Sequence, residues 1–361
     1  MWPDTRLMDL LEIEVPIIQA PMAGSDSPEL AAAVSAAGGL GSIGCATLAP
    51  EDVERWTQEL RRRTNRPFNL NFFCHSPPGQ DVAHAQRWRD RLQPYYAELE
   101  VEPPEGLTGG RAPFDETLCE LVESLRPPVV SFHFGLPEQR LMDRVKAAGC
   151  RVLASATTPE EAVTLAQRGI DAVIAQGAEA GGHRGVFAED WRTGSGMIGT
   201  LSLVPQVVDA VDIPVIAAGG IADGRGIAAS LALGACGAQV GTAYLFTPEA
   251  GIGEAHRAAL AAGRAEDSRV TNVMTGRPAR GLMNRLMRET GPVADDAPDF
   301  PLAAPAVAPL RKAAEAKGLT DFTPLWAGQS VALGRRQPAG DLTRRLAEEA
   351  LARLSKLTRR S

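Results

Sequence analysis

Eight short apolar runs, each followed by a helical pattern, constrain the fold of this chain more than any other feature; they span residues 16–22, 40–46, 68–74, 129–135, 151–157, 172–177, 215–220 and 238–245. As a set they lack the sustained polar–apolar alternation of a sheet with one wet face, so both faces of each strand are expected to be buried. Parallel strands covered by helices read this way. Between them lie helix signals: Ser27-Pro28-Glu29 opens one helix and Gly38-Gly39 closes it, and Thr158-Pro159-Glu160-Glu161 opens another that ends at Arg168-Gly169. Eight βα units in a run of this length predict a (β/α)8 TIM barrel; a doubly wound open sheet is the alternative if the strand count errs by one or two.

Two segments interrupt the pattern. Residues 76–128 carry Pro77-Pro78-Gly79, Pro103-Pro104 and Gly109-Gly110 around helix-like stretches with Trp88, Tyr95 and Tyr96. Everything after residue 247 is helix-like too, with a Pro/Ala-rich stretch at 292–309 and a final basic amphipathic helix. The expected division is a barrel of residues 1–75 and 116–247, and a smaller, mainly helical lid or substrate domain of residues 76–115 and 248–361.

Composition bounds the function. With 361 residues, 44% of them hydrophobic, the chain can bury a large core and an appended unit. The net charge of −7 is spread out, and the basic cluster Arg61-Arg62-Arg63 sits at the polar end of a predicted helix, so no nucleic-acid partner is expected. The five cysteines are widely spaced with no Cys-x-x-Cys pair and read as buried thiols. The start Met1-Trp2-Pro3-Asp4 lacks a signal-peptide pattern and no apolar run approaches membrane-spanning length, so a cytoplasmic protein without a membrane partner is expected.

Chemistry in such barrels gathers at the C-terminal strand ends. There, Gly219-Gly220 follows Ile216-Ala217-Ala218, and Gly241-Thr242 follows Gln239-Val240. Backbone without side chains lets N–H groups converge on a phosphate with a short helix N-terminus behind it; tight turns alone are the other reading. After the run at 172–177 comes Gly181-Gly182-His183-Arg184-Gly185, in which an imidazole bracketed by glycines is suited to proton transfer or to binding an anion, against a packing or capping role. His133, in Ser131-Phe132-His133-Phe134-Gly135, reads equally as a core histidine or as active-site wall, and His75 is similar. His84 and His256 lie away from strand ends and are expected to face solvent. No two histidines have metal-ligand spacing, so no metal is expected. Asn69 and Asn71 share one face of their strand, where one or both reach the polar edge of a cofactor ring or satisfy a barrel layer. The absence of a dinucleotide fingerprint, a Walker motif and a nucleophile elbow points to a mononucleotide cofactor, with FMN as the candidate.

The ordered set Pro16-Ile17-Ile18-Gln19-Ala20-Pro21-Met22-Ala23-Gly24, Asn69-Leu70-Asn71-Phe72-Phe73, Ser131-Phe132-His133-Phe134-Gly135, Gln176 to Gly185, Ala217-Ala218-Gly219-Gly220-Ile221, Gln239-Val240-Gly241-Thr242 and Leu325-Trp326-Ala327-Gly328-Gln329 closely resembles the nitronate monooxygenases, formerly called 2-nitropropane dioxygenases. The resemblance implies an FMN-containing barrel that uses O2 to oxidise alkyl nitronates, such as propionate 3-nitronate, and possible nitroalkane substrates, to carbonyl compounds and nitrite without consuming nicotinamide. By the match, Ala20, Pro21 and Met22 approach the isoalloxazine, Asn71 and Gln176 its polar edge, and Gly219, Gly220, Gly241 and Thr242 the phosphate. Gly181, Gly182, Ala218 and Gln239 join them in the cofactor site. His183 carries over as the active-site histidine, as anion binder toward a nitronate or as base toward a neutral nitroalkane, with His133 and Phe300 on the substrate side. Relatives carry tyrosines and a nearby lysine in the segment matching 300–305, whereas here Phe300 is the aromatic residue and Ala308 stands near the lysine's place; a more apolar substrate is expected to fit better. Two alternatives stay open: an NAD(P)H-dependent enoyl-acyl-carrier-protein or quinone reductase on the same barrel, which shares Glu-Ala-Gly-Gly-His, and a flavin-binding protein without turnover. The expected assembly is a monomer or homodimer.

Overall fold

The computed structural model describes residues 1–77, 79, 82–106, 112–187, 191 and 196–358; Pro78 and Gly109-Gly110 lie outside the described residues. Each of the eight apolar runs contains a strand: β1 Ile17–Gln19, β2 Gly41–Gly44, β3 Phe68–Phe73, β4 Val129–His133, β5 Arg151–Ala156, β6 Ala172–Gln176, β8 Val215–Ala218 and β9 Gly237–Val240, with the two-residue strand β7 Gly182–His183 inserted after β6. They pair in parallel in the order β1-β9-β8-β6-β5-β4-β3-β2. An Ile18–Leu40 bridge brings β1 to the start of β2, with Gln19 N donating to Leu40 O at 2.9 Å, so the sheet closes on itself. The architecture is the TIM barrel, and the open-sheet alternative falls with that closure.

The strands are shorter than the apolar runs because the run ends turn inward as loops. The clearest case is 238–245, expected as one strand: it stops at Val240, and Thr242–Leu245 forms a helical turn. Gly241 bends the chain (φ −110°, ψ −77°), and Ala243, Tyr244 and Leu245 bury against the barrel as helix residues rather than as sheet. An apolar run alone does not tell those two burials apart.

Inside the barrel, Ile18, Leu153, Ile174 and Ile216 pack on the N-terminal helix Arg6–Leu11, whose Leu7 and Leu11 plug the bottom. Outside it, helices pack on the strands through Leu30, Val53, Leu141, Leu165, Val204 and Ile227. The capping signals are used as read: Leu30 N donates to Ser27 Oγ at 3.0 Å and Glu161 N to Thr158 Oγ1 at 3.1 Å. The arginine run ends helix Pro50–Arg63 in ion pairs with Glu59 and Glu29, an ordinary solvated helix end.

The expected division needs one correction. The final helix Ala339–Thr358, assigned to the lid, packs in the barrel's own core through Ala339, Leu342, Leu346 and Ala350. It presses so closely on helix Gly224–Ala232 that a Cβ on Gly224 would lie 2.3 Å from Glu349 Cβ. It thus takes the place of the outer helix that follows β9. The rest of the added material shares a second apolar cluster, in which Trp88 and Tyr96 of helix Val82–Leu99 meet Val307 and Leu310 of helix Ala303–Ala316, with Met274, Met287 and Phe322. Tyr96 donates its hydroxyl to Ala306 O at 2.5 Å. The added material is mainly helical but includes strands β10 Ser268–Thr271 and β11 Ala279–Leu282, antiparallel to each other, and β11 pairs with β7. That pairing ties it to the loop carrying His183. Among the described residues, no helix is long and apolar enough to cross a membrane.

Candidate active site

At the C-terminal ends of the strands a cavity of about 1200 Å³, including its mouth, is bordered by Ala20, Pro21, Met22, Asn71, His133, Gln176, Gly181, Gly182, His183, Ala218, Gly219, Gly220, Gln239, Gly241 and Thr242. Motifs from six different strand ends therefore meet in one place. Phe300 does not border it; its ring stands behind, 5.5 Å from those of Phe134 and His183, in an apolar knot with Phe73.

At one end the wall is backbone. Gly219 and Gly220 have φ of 109° and 72°, a region costly for other residues, and a Cβ on Gly219 would sit 3.0 Å from Gly177 O. Across from them a Cβ on Gly241 would meet a single heavy atom within 4 Å, Ala20 Cβ at 3.4 Å, so it would project into open cavity. Thr242 Oγ1 accepts from Gly328 N at 2.9 Å, which leaves the hydroxyl proton to donate. Gln239, which also borders the cavity, has a buried Oε1 without a hydrogen-bond partner. Such an orphaned acceptor beside a side-chain-free cradle suits a bound ring N–H and an anion.

The two strand asparagines separate by depth. Asn69 is fully buried, with Nδ2 donating to Ser42 Oγ (3.1 Å) and Ser131 Oγ (2.9 Å), and serves a barrel layer. Asn71, one pleat higher, borders the cavity while its Nδ2 donates to Ser131 Oγ at 2.9 Å. Gln176 borders the cavity too, but its amide is largely committed: Nε2 donates to His183 O (3.0 Å), and Oε1 accepts from Gly185 N (2.8 Å) and Arg184 Nη1 (3.0 Å). Its visible work is to shape the histidine loop.

That loop is held from below by Arg184, whose side chain is fully buried. Its guanidinium donates to Gly177 O (2.5 Å), Gln176 O (2.8 Å) and Gly196 O (2.6 Å). Burial pulls Arg184 down to about 10, so it stays charged at neutral pH. His183 presents its ring to the cavity, with Nε2 2.9 Å from Thr275 Oγ1 and the Trp326, Phe300, Phe134 and Phe73 rings 5.5–6.0 Å away. His133 resolves its two readings by being wall and support at once. It borders the cavity, yet Nε2 lies 3.2 Å from His183 O and Nδ1 2.6 Å from Ser155 Oγ. A carbonyl only accepts, so Nε2 carries the proton and Nδ1 accepts from Ser155. Burial pushes His133 down to about 3, which keeps the ring neutral.

Several residues to which the sequence reading gave no site role belong to the site. Trp326 and Gly328, read only as part of a family motif, border the cavity, as do Glu179 and Ser155. Glu179 caps helix Thr200–Ala210 by accepting from Thr200 N at 2.8 Å. Apart from the motifs around Glu179 and Trp326, no local pattern marks them as site residues. His256, expected to face solvent, is buried, and burial pushes it down to about 4. His75 is buried edge-on to Phe300, with ring centroids 4.7 Å apart. The five cysteines are free, four buried and Cys74 half-buried, and no His/Cys/Asp/Glu cluster suited to a metal occurs among the described residues.

Comparison with known proteins agrees with this geometry. The sequence model of the family described as nitronate monooxygenase matches residues 4–349. A nitronate monooxygenase of Pseudomonas aeruginosa is 47% identical over 347 residues, covering 95% of this chain and 98% of that one, and one of Paraburkholderia phytofirmans is 42% identical over 346 residues, covering 95% and 94%. Among solved structures, the nitroalkane oxidase of Streptomyces ansochromogenes superposes with a TM-score of 0.91 at 42% identity, covering 98% of this chain and 99% of that one. FabK of Thermotoga maritima follows the same fold less closely, with a TM-score of 0.74 at 30% identity over 99% of both chains. By the span of the family match and the identity to its members, the chain belongs to the nitronate monooxygenase family.

Proposed function

We propose that the cavity binds FMN, with Gly219, Gly220, Gly241 and Thr242 around its phosphate and Ala20, Pro21, Met22, Asn71 and Gln239 toward its ring system, and that His183 handles the substrate's nitro group. The enzyme oxidises nitronates or nitroalkanes, yielding a carbonyl compound and nitrite at the expense of O2. When bound, the flavin supplies the redox chemistry between substrate and O2. The chain's own part is to exclude water with Trp326 and the aromatic wall, to orient His183 through Gln176 and His133, and to hold or accept a proton on that imidazole. One observation carries this reading: the His183 imidazole borders the same cavity as the glycine cradle and the orphaned acceptor Gln239 Oε1.

The lining also narrows the substrate. Among the described residues that border the cavity there is no Lys or Arg, and Glu179 contributes a carboxylate. A nitro compound bearing its own carboxylate would bury that charge without a cationic partner, at a cost of several kcal/mol. The favoured class is therefore alkyl nitro compounds with apolar tails. The described residues within 76–115, with 248–338, form the lid over this site in the same reading.

The test begins with colour. Purified protein is expected to be yellow and to release FMN on denaturation. Under anaerobic conditions ethylnitronate should bleach it and NADPH should not. Turnover of 1-nitropropane or its nitronate should exceed that of 3-nitropropionate or its nitronate at least ~10-fold in kcat/KM. Bleaching by NADPH alone would assign the FabK-like reductase activity instead, and colourless protein that cannot be reconstituted would defeat the flavin reading.

A further inference from the structure

The short sheet that carries His183 also carries Trp326. Strand β11 pairs along one edge with β10 and along the other with β7, where Ala279 stands opposite His183. Past the end of β7 the segment around Trp326 takes over that edge: Trp326 bridges Gly281 in antiparallel register, and Leu282 N donates to Leu325 O at 2.8 Å. Opposed residues of antiparallel strands share a face, and so do residues two apart on one strand. His183, Ala279, Gly281 and Trp326 therefore lie on one face. Arg280 is turned to the other, where its guanidinium donates to Ala178 O (2.8 Å) and Ser268 O (3.0 Å). His183 and Trp326 both border the cavity, with ring centroids 5.5 Å apart, so their face is the one turned to it.

Gly281 seats the indole. A Cβ there would lie 3.0 Å from Trp326 Cε3 and 2.8 Å from Leu325 O, so the ring rests on bare backbone. The chain beyond is pinned by Ser268 Oγ donating to Ala327 O at 3.0 Å and Gly328 N donating to Thr242 Oγ1 at 2.9 Å. Among the described residues, the aromatic rings 5.5–6.0 Å from that of His183 belong to Phe73, Phe134, Phe300 and Trp326. Of these, Phe73 and Trp326 border the cavity. Phe73 is buried and boxed in by Phe134 at 4.7 Å and His133 at 5.6 Å, whereas Trp326 is half-buried. An alkyl chain leaving a nitro group beside His183 thus has the indole as its adjustable wall.

We infer that Trp326, seated on Gly281, is the specificity-determining residue that sets how long an unbranched alkyl tail the site accepts. This rests on the reading of the cavity as the place where nitronates are oxidised, and it holds whichever nitrogen of His183 carries a proton. Each methylene that leaves water is worth about 3- to 4-fold in kcat/KM while there is apolar wall to cover it. Past that point a further methylene gains nothing or must displace the ring.

Holoenzyme assayed by O2 uptake on preformed unbranched nitronates of two, four, six and eight carbons tests this. Trp326→Leu removes the ring and should raise the eight-carbon to two-carbon ratio of kcat/KM at least about 5-fold, chiefly through KM, with Trp326→Phe in between. Gly281→Ala places a methyl under the indole on the face turned to the cavity, and should lower the same ratio by about as much. FMN affinity of the flavin-free Trp326 variants should stay within about 3-fold of native. Ratios within about 2-fold of native in both Trp326 variants would overturn the inference, as would shifts of the same sign in Trp326→Leu and Gly281→Ala. Weakened FMN binding with an unchanged ratio would overturn it too, by making Trp326 a wall for the cofactor. Should Gly281→Ala not fold, the graded order of Leu, Phe and Trp at position 326 decides. Native holoenzyme that oxidises none of these nitronates would instead defeat the reading of the cavity itself.

Discussion

Gly241→Val separates the fold from the cofactor site. Gly241 sits at φ −110° and ψ −77°, within reach of any L-residue, so the substitution meets no left-handed strain. Its Cβ would touch only Ala20 Cβ, at 3.4 Å, and the branched methyls would occupy the cavity between Gly219-Gly220 and Thr242. Stability without cofactor should thus stay within about 1 kcal/mol of native. A phosphate seated there would be pushed off its donors. Each hydrogen bond to an anion is worth about 1.5–3 kcal/mol, so losing two costs roughly 3–6 kcal/mol, or about 10²- to 10⁴-fold in Kd. The assay is titration of flavin-free protein with FMN, followed by quenching of flavin fluorescence, beside thermal melting of the same samples. Native-like FMN affinity, within about 3-fold, would show that the phosphate lies elsewhere. A large loss of stability without cofactor would show that the space at Gly241 is not open.

Other substitutions probe different links. Gly177→Ala is the counterpart that should damage the fold, because its Cβ would lie 1.9 Å from Thr200 Oγ1 and 2.4 Å from Thr200 N, forcing helix Thr200–Ala210 to move; a loss of about 2–4 kcal/mol is expected in denaturant unfolding, and a native-like midpoint would contradict the packing. His256→Gln addresses pH: burial holds the folded-state value at about 4, below the ordinary 6.5, so the unfolded chain binds the proton first and stability present above pH 6.5 is lost as pH falls toward 4. Native protein should accordingly lose about 2 kcal/mol more than the variant between pH 6.5 and 4.5. Parallel unfolding curves across that range would refute it. His133, depressed to about 3, acts in the same direction in both proteins, while Asp26, raised to about 6 by burial, opposes it between pH 6 and 4; both cancel in the comparison.

Much of the site was legible because its signals are local. A glycine pair at a strand end, such as Gly219-Gly220, marks where backbone bends sharply, and the barrel's regularity says on which face it lies. Strand period put Asn69 and Asn71 on one face and left His133 between core and wall; the family likeness chose Asn71 and His133 for the site, and only the structure shows that Asn69 lies a layer deeper, spent on Ser42 and Ser131. His256 misled because it lies away from any strand end, and its burial comes from the fold around it rather than from its own helix. Phe300 was placed at the substrate by family likeness, and it stands behind the cavity wall with its ring against that of His183.

By itself the sequence determined the barrel, its eight strands and the end at which chemistry gathers, since hydrophobic period and glycine position act over a few residues and need no partner to be read. Only the tertiary structure decided what the site's side chains do. The pairing of His183 with Thr275 spans 92 residues, the His133–Ser155 bond joins two strands, and Trp326 arrives after the second apolar cluster has closed. The last helix shows the same division: the sequence showed an amphipathic helix and assigned it to the lid, whereas its place against helices Pro28–Ala36 and Gly224–Ala232 is a tertiary result that no stretch of sequence records.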